Sequence, residues 1–182
     1  MNAPSAYSLR PWMEQYGKHI AHTLDEPAYP NLPAMADAAV QRFSAQTAFT
    51  TVVPNGMYGN LSYAQVGEMS KAFAVYLREV LKLQAGDRVA LQMPNCLAYP
   101  VALLGILKAG CVAVNTNPLY TAAEMVHQFN DSGAKAVVIL DMFTDKLEDA
   151  LPRTGVKHVV LTRVSEFFPP IVGPIVRGVM KY

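Results

Sequence analysis

The sequence has no surplus of charge, little cysteine and no unbroken apolar run, and each shortage removes a class of function. Lys and Arg number 15 and Asp and Glu 14, a net charge of +1. The cations are scattered and no helical pattern carries a basic stripe with interleaved aromatics, so nucleic acid is excluded as a partner. The two cysteines, Cys96 and Cys111, lie in apolar surroundings without C-x-x-C spacing. They read as small buried hydrophobes rather than metal or redox ligands, which implies the cytoplasm. The most apolar stretch, Leu97 to Val114, is interrupted by Pro100, Lys108 and Gly110. It divides into a helix and a strand rather than a membrane span. The first twenty residues lack a basic region followed by an apolar one, so no secretory signal is expected.

Catalytic motifs are equally scarce. There is no G-x-x-x-x-G-K-[ST] phosphate loop, no G-x-G-x-x-G after a strand and no G-x-S-x-G elbow. The four histidines, His19, His22, His127 and His158, have no carboxylate or cysteine partners at ligand spacing, and surface or packing roles are expected for all of them. Asp131 and Asp141 read as turn residues that bond neighbouring backbone N–H groups.

What remains is a well-punctuated α/β pattern of 182 residues, 52% hydrophobic and 16% charged, enough for one sizeable core. Residues 1 to about 30 lack periodicity and read as an arm laid over the domain or over a neighbour. Asn31 opens a helix whose Leu32, Met35, Ala39, Val40 and Phe43 share a face, with Pro33 tolerated in the first turn. Phe49–Val53 and Met57–Leu61 form a hairpin around Pro54, Asn55 and Gly56, since Asn-Gly accepts positive φ. Ser62 and Gln65 make a capping box for a helix that presents Val66, Met69, Phe73, Tyr76, Leu77 and Val80 on one face and stops before Ala85-Gly86-Asp87.

From Arg88 strands and helices alternate: strand to Met93, helix from about Leu97 to Ala109, strand from Cys111, helix from Thr121, strand to Leu140, helix near Phe143 to Leu151, strand from Lys157 to Leu161. This is the pattern of a doubly wound, mostly parallel sheet with flanking helices, whose strand order the sequence leaves open. The stretch from Leu107 to Leu140 carries the clearest βαβ unit. Its strands, Cys111–Val114 and Ala136–Leu140, look covered on both faces. Its helix has a second capping box, Thr121 with Glu124, a buried face of Met125 and Phe129, and a stop at Asp131-Ser132-Gly133. The loop from Asn115 to Tyr120 follows a strand's carboxyl end, where open α/β sheets place ligands. Lys108, at a helix C-terminus, is expected to project its ammonium to water.

Residues 165–182 differ from the rest. Pro169, Pro170 and Pro174 break the start, while Ile171, Val172, Ile175, Val176, Val179 and Met180 make the segment apolar, with Arg177 and Lys181 charged. Two readings stay open: the start of a helix that packs on residues outside this sequence, and a basic amphipathic segment that touches a membrane surface.

Several motifs are shared with a known family. Leu61-Ser62-Tyr63, Gly86-Asp87-Arg88-Val89-Ala90, Met93-Pro94-Asn95, Leu107-Lys108-Ala109-Gly110, Asn117-Pro118-x-Tyr120-Thr121 and Asn130-Asp131-Ser132-Gly133-Ala134 stand in the order and spacing of the adenylate-forming acyl-CoA synthetases. Over Leu32 to Arg163 the chain resembles the bacterial long-chain fatty acid CoA ligases of that family. The resemblance implies part of the large N-terminal domain of the adenylate-forming fold, covering residues 31–164. It also implies ATP, Mg²⁺ and CoA as cofactors and a long-chain fatty acid as substrate, with an acyl adenylate as intermediate. In such enzymes the phosphate-binding loop, the ribose-binding acid and the catalytic lysine follow the region matched here. The chain therefore looks like the first third of a longer enzyme, inactive and without tight cofactor binding by itself.

The loop matching Asn117, Pro118, Leu119 and Tyr120 lies in relatives near the route by which CoA enters, which makes these four the candidate site residues. A structural reading stays open beside it, in which Asn117 and Pro118 shape the turn and Tyr120 is the hydrophobic staple before Thr121. The resemblance also leaves open a homodimer and a peripheral position on the inner face of the membrane. Two other functions compete: a non-catalytic module that holds an acyl chain or a protein partner, and a flavodoxin-like redox domain.

Overall fold

The computed structural model describes residues 10–21, 23, 26–54 and 56–179. The chain divides into two compact units, Met1–Pro30 and Asn31–Tyr182. In the first, the described residues hold one 3-10 turn, Pro11–Gln15, with no buried residue. His22 of the arm lies outside the described residues, as do Met180 and Lys181 of the tail.

The second unit begins with α1 (Leu32–Phe43). Asn31 Oδ1 accepts the Ala34 N–H at 2.8 Å, and Pro33 occupies the first turn, as the sequence predicts. Its expected apolar face is only partly covered, since Leu32 and Met35 are exposed. Strands β1 (Thr47–Val52) and β2 (Tyr58–Ser62) form the antiparallel hairpin, with Phe49 opposite Leu61. Gly56 at φ 82° closes the turn and donates its N–H to Val53 O at 2.8 Å. Asn55 of the expected Asn-Gly turn lies outside the described residues.

Helix α2 (Tyr63–Val75) starts from the full capping box of Ser62 and Gln65 and ends in one π-helical turn, Tyr76–Val80. Its buried face differs from the expected one. Val66, Ser70, Ala74 and Leu77 are buried, whereas Met69, Tyr76 and Val80 are exposed. The close crossing of the next helix explains this: a Cβ at Gly105 would lie 3.0 Å from Ser70 O and 2.7 Å from Phe73 Cδ1. The missing side chain at Gly105 leaves room there for the Ser70 backbone and the Phe73 ring.

Strands β3 (Arg88–Gln92), β4 (Val112–Asn115), β5 (Ala134–Leu140) and β6 (His158–Thr162) form one parallel sheet in the order β4-β3-β5-β6. They are linked by α3 (Ala98–Lys108), α4 (Ala122–Ser132) and α5 (Asp145–Ala150), the last flanked by 3-10 turns at Asp141–Phe143 and Leu151–Arg153. The two strands of the predicted βαβ unit are not neighbours, because β3 lies between them. β4 is an edge strand with Val112 exposed, and the expectation that it is covered on both faces is corrected. β5 is central and buried at every position except Lys135.

Alternation along β5 sorts the core. Ala136, Val138 and Leu140 face α2 and α3, with Ile106 and Leu77, while Val137 and Ile139 face α4 and α5, with Met125, Phe129 and Leu147. Full burial of Phe129 stabilises the domain by about 2–3 kcal/mol. A third apolar cluster joins the hairpin to the tail. Leu61, Val66, Leu97 and Val101 meet Phe168 and Val176, the latter in α6 (Val172–Val179). One face of the tail helix thus packs on the domain, while Ile171 and Ile175 are exposed. No helix of the described residues is long and apolar enough to cross a membrane.

Three polar residues differ from expectation. The Lys108 side chain is 13% exposed, and its ammonium pairs with Asp37 Oδ1 of α1 at 2.7 Å instead of projecting to water. Asp141 uses its carboxylate to pair with Arg163 Nε at 3.1 Å, while its backbone carbonyl accepts the Thr144 hydroxyl at 2.8 Å. Asp131 lies exposed in the last turn of α4, and the stop itself is Gly133 at φ 65°. Cys96 and Cys111 are buried as expected, and burial raises both thiols above their ordinary value.

Candidate functional site

The helices that follow β3 and β5 leave for opposite faces of the sheet. In a doubly wound sheet this divergence opens the ligand crevice at the carboxyl ends of the strands. On the β4 side of β3, next to this switch point between β3 and β5, two loops border the same carboxyl edge: Met93–Leu97, between β3 and α3, and Thr116–Thr121, between β4 and α4.

The second loop is held by a chain of hydrogen bonds. Thr116 extends the pairing by donating its N–H to Leu91 O at 3.0 Å, and its buried hydroxyl donates to Val114 O at 3.3 Å. Asn117 Oδ1 accepts the Leu119 N–H at 3.0 Å, an Asx turn, and Asn117 O accepts the Tyr120 N–H at 3.2 Å. The Tyr99 hydroxyl donates to Asn115 Oδ1 at 2.9 Å, tying the loop to the first turns of α3. Beyond it, Thr121 caps α4. Its Oγ1 accepts the Glu124 N–H at 3.3 Å, and Glu124 Oε2 accepts the Thr121 N–H at 2.8 Å. The backbone N–H of Thr121, then its hydroxyl, hold the Glu124 carboxyl below the usual carboxylate value.

Met93, Asn95, Tyr99, Asn115, Asn117 and Pro118 are among the residues that line a concavity of about 340 Å³ at this edge. Of the four residues singled out in the sequence, Asn117 and Pro118 border it. Leu119 is 71% exposed beside it. Tyr120 packs in the cluster of Met125 and Phe129, the position of a hydrophobic staple. Gln92, Tyr99, Asn115 and Gln128 were not singled out. A polar residue that ends the apolar strand at Gln92 is the sequence sign of the first, and the others depend on which elements become neighbours.

The lining offers amides, a phenol and a hydroxyl but no charged side chain. It suits neutral donor and acceptor groups and does not suit a polyphosphate, so the residues present do not form the phosphate site of an ATP-dependent enzyme. Among the described residues no group of three or more His, Cys, Asp or Glu is arranged to hold a metal ion. A second, largely apolar groove of about 560 Å³ runs between β1 and α3 and shares Asn95 and Tyr99 with the first.

Residues 36–172 match the family model of the AMP-binding enzymes. The chain is 43% identical over 94% of its length to a long-chain-fatty-acid–CoA ligase of Escherichia coli, and 31% identical over 89% to one of Bacillus subtilis. It spans 30% and 28% of those two proteins, about a third of their length or less. A benzoate CoA ligase from Burkholderia xenovorans superposes with a TM-score of 0.64 at 28% identity, covering 72% of this chain and 25% of that one. A long-chain-fatty-acid-CoA ligase from Archaeoglobus fulgidus superposes with a TM-score of 0.65 at 22% identity, covering 78% and 31%, which supports the fold alone. These matches favour the acyl-CoA synthetase reading over the flavodoxin-like and independent binding modules, and the chain belongs to the AMP-binding enzyme family.

Proposed function

We propose that this chain supplies the amino-terminal part of an ATP-dependent long-chain fatty acid CoA ligase. In that reaction a fatty acid carboxylate attacks the α-phosphate of ATP, releasing pyrophosphate and leaving an acyl adenylate. The CoA sulfur then displaces AMP to give the thioester. Mg²⁺, held by residues outside this stretch, would shield phosphate charge in the first step. The observation that carries the proposal is the 43% identity over 94% of the chain to a protein named for this activity.

Within the proposal, the residues present have a limited task. The edge from Asn117 to Tyr120 borders the passage for CoA, with Asn117 and Pro118 on the concavity and the exposed Leu119 beside it. Its neutral amides and hydroxyl match the amide and hydroxyl groups of a pantetheine arm rather than its phosphates. ATP binding and carboxylate activation are left to residues outside this stretch. A peripheral membrane contact would use Ile171 and Ile175, both exposed on the tail.

The test is enzymatic. The native gene product that contains residues 1–182 is expected to convert palmitate, ATP and CoA to palmitoyl-CoA with AMP and pyrophosphate in equal amounts, while the 182-residue chain alone does not. Absence of thioester from the complete product, or ADP in place of AMP, would overturn the proposal.

A further inference from the structure

We infer that Gln92 and Gln128 are positioning residues that clamp the β4–α4 loop in its site-forming shape. The inference rests on the reading of that loop as CoA-facing. Two amides from different elements, a strand end and a helix, reach the same loop. Gln92 Nε2 donates to Asn117 O at 3.3 Å, and Gln128 Nε2 donates to Asn115 O at 3.0 Å. A carbonyl can only accept, so both amide orientations are fixed by these bonds.

The consequence is visible on the other side of each amide. Both Oε1 atoms are enclosed, and neither has a hydrogen-bond partner among the described residues. Gln92 is 1% exposed and follows the apolar positions Val89, Ala90 and Leu91. A buried acceptor without a donor is destabilising, and an apolar side chain of similar length would remove that penalty. Nor does Asn117 O need the amide, because the Tyr120 N–H already reaches it. Stability alone therefore does not account for Gln92. A local choice that works against stability beside a candidate site points to function. The clamp fixes Asn117, and Asn117 in turn holds the Leu119 N–H through its side chain.

Gln92→Met and Gln128→Met, made separately in the 182-residue chain, separate positioning from plain support. By NMR, amide exchange at Leu119 and Tyr120 is expected to quicken about tenfold. Exchange within β5 and the melting temperature should hold steady, or the latter rise. Gln92→Leu likewise removes the donor without burying a charge, and it should loosen the loop as the Met variant does. Unchanged exchange at Leu119 and Tyr120, or a lowered melting temperature with exchange quickened throughout, would overturn the clamp.

In the complete ligase the same variants should raise KM for CoA and leave kcat and KM for ATP unmoved. A loosened loop with an unchanged KM for CoA would retire the CoA-facing reading and leave the clamp standing, whereas an unloosened loop would retire the clamp.

Discussion

The two ends of the parallel sheet are built on opposite terms. At the amino end, among the described residues, no buried side-chain nitrogen or oxygen lacks a hydrogen-bond partner. Asp87 binds Lys135 Nζ at 2.6 Å and the Gln84 N–H at 2.7 Å, and Gly86 donates to Gly110 O at 2.8 Å. These contacts tie the starts of β3, β4 and β5 together. At the carboxyl end, Gln92 and Gln128 keep buried oxygens without partners among the described residues, and Leu119 is left exposed on a loop. Within the proposed function, the contrast separates what folding needs, where polar groups are satisfied, from what a CoA-facing edge would need, where they are not.

The largest effect should come from the framework both ends share. Phe129 is fully buried between α4 and the sheet, and Phe129→Ala is expected to cost about 3–5 kcal/mol, read as a lowered urea midpoint. Both ends would be lost together, so this variant sets the scale for the others.

Next in size is the amino end. Asp87→Ala removes both charge-assisted bonds and should cost about 2 kcal/mol without altering CoA affinity in the proposed complete ligase. The same residue gives a pH signature. Lys135 first, then the Gln84 N–H, hold its carboxyl below the ordinary value of 3.8. Its contribution is therefore complete above about pH 4 and is lost as the pH falls through the depressed value, because the unfolded chain takes up the proton first. Asp87→Asn should flatten that acid limb of the stability curve. An unchanged acid limb would show that Asp87 is not what protects this end.

Between the ends lies the α4 cap, where Thr121→Ala should cost about 1 kcal/mol in thermal unfolding. The smallest stability effect belongs to the carboxyl end. Leu119→Ser should change stability by no more than about 0.5 kcal/mol, because the side chain is exposed, yet it should weaken CoA binding by the complete ligase. A loss of stability there as large as that of Asp87→Ala would erase the contrast between the ends.

Features that were legible in the sequence are those decided within a few residues. Both capping boxes, the Asn31 cap, the Gly133 stop and the alternation from Arg88 onward depend on local hydrogen bonds and φ preferences, and all are present. What was not legible depends on neighbours far along the chain. The strand order makes β4 an edge, Gly105 lets α2 approach α3 closely at Ser70 and Phe73, and Asp37 captures Lys108. The candidate site divides the same way. Its loop follows from the strand-end rule, whereas Gln92 and Gln128 acquire meaning only when the carbonyls of Asn117 and Asn115 come within reach.

The most direct test of the proposal that the carboxyl end borders a CoA site is hydrogen exchange of the proposed complete ligase with and without CoA. The account predicts added protection at residues 115–121 and no change at 84–88 or 134–136. Protection confined to the amino end, or its absence from 115–121 under saturating CoA, would contradict it.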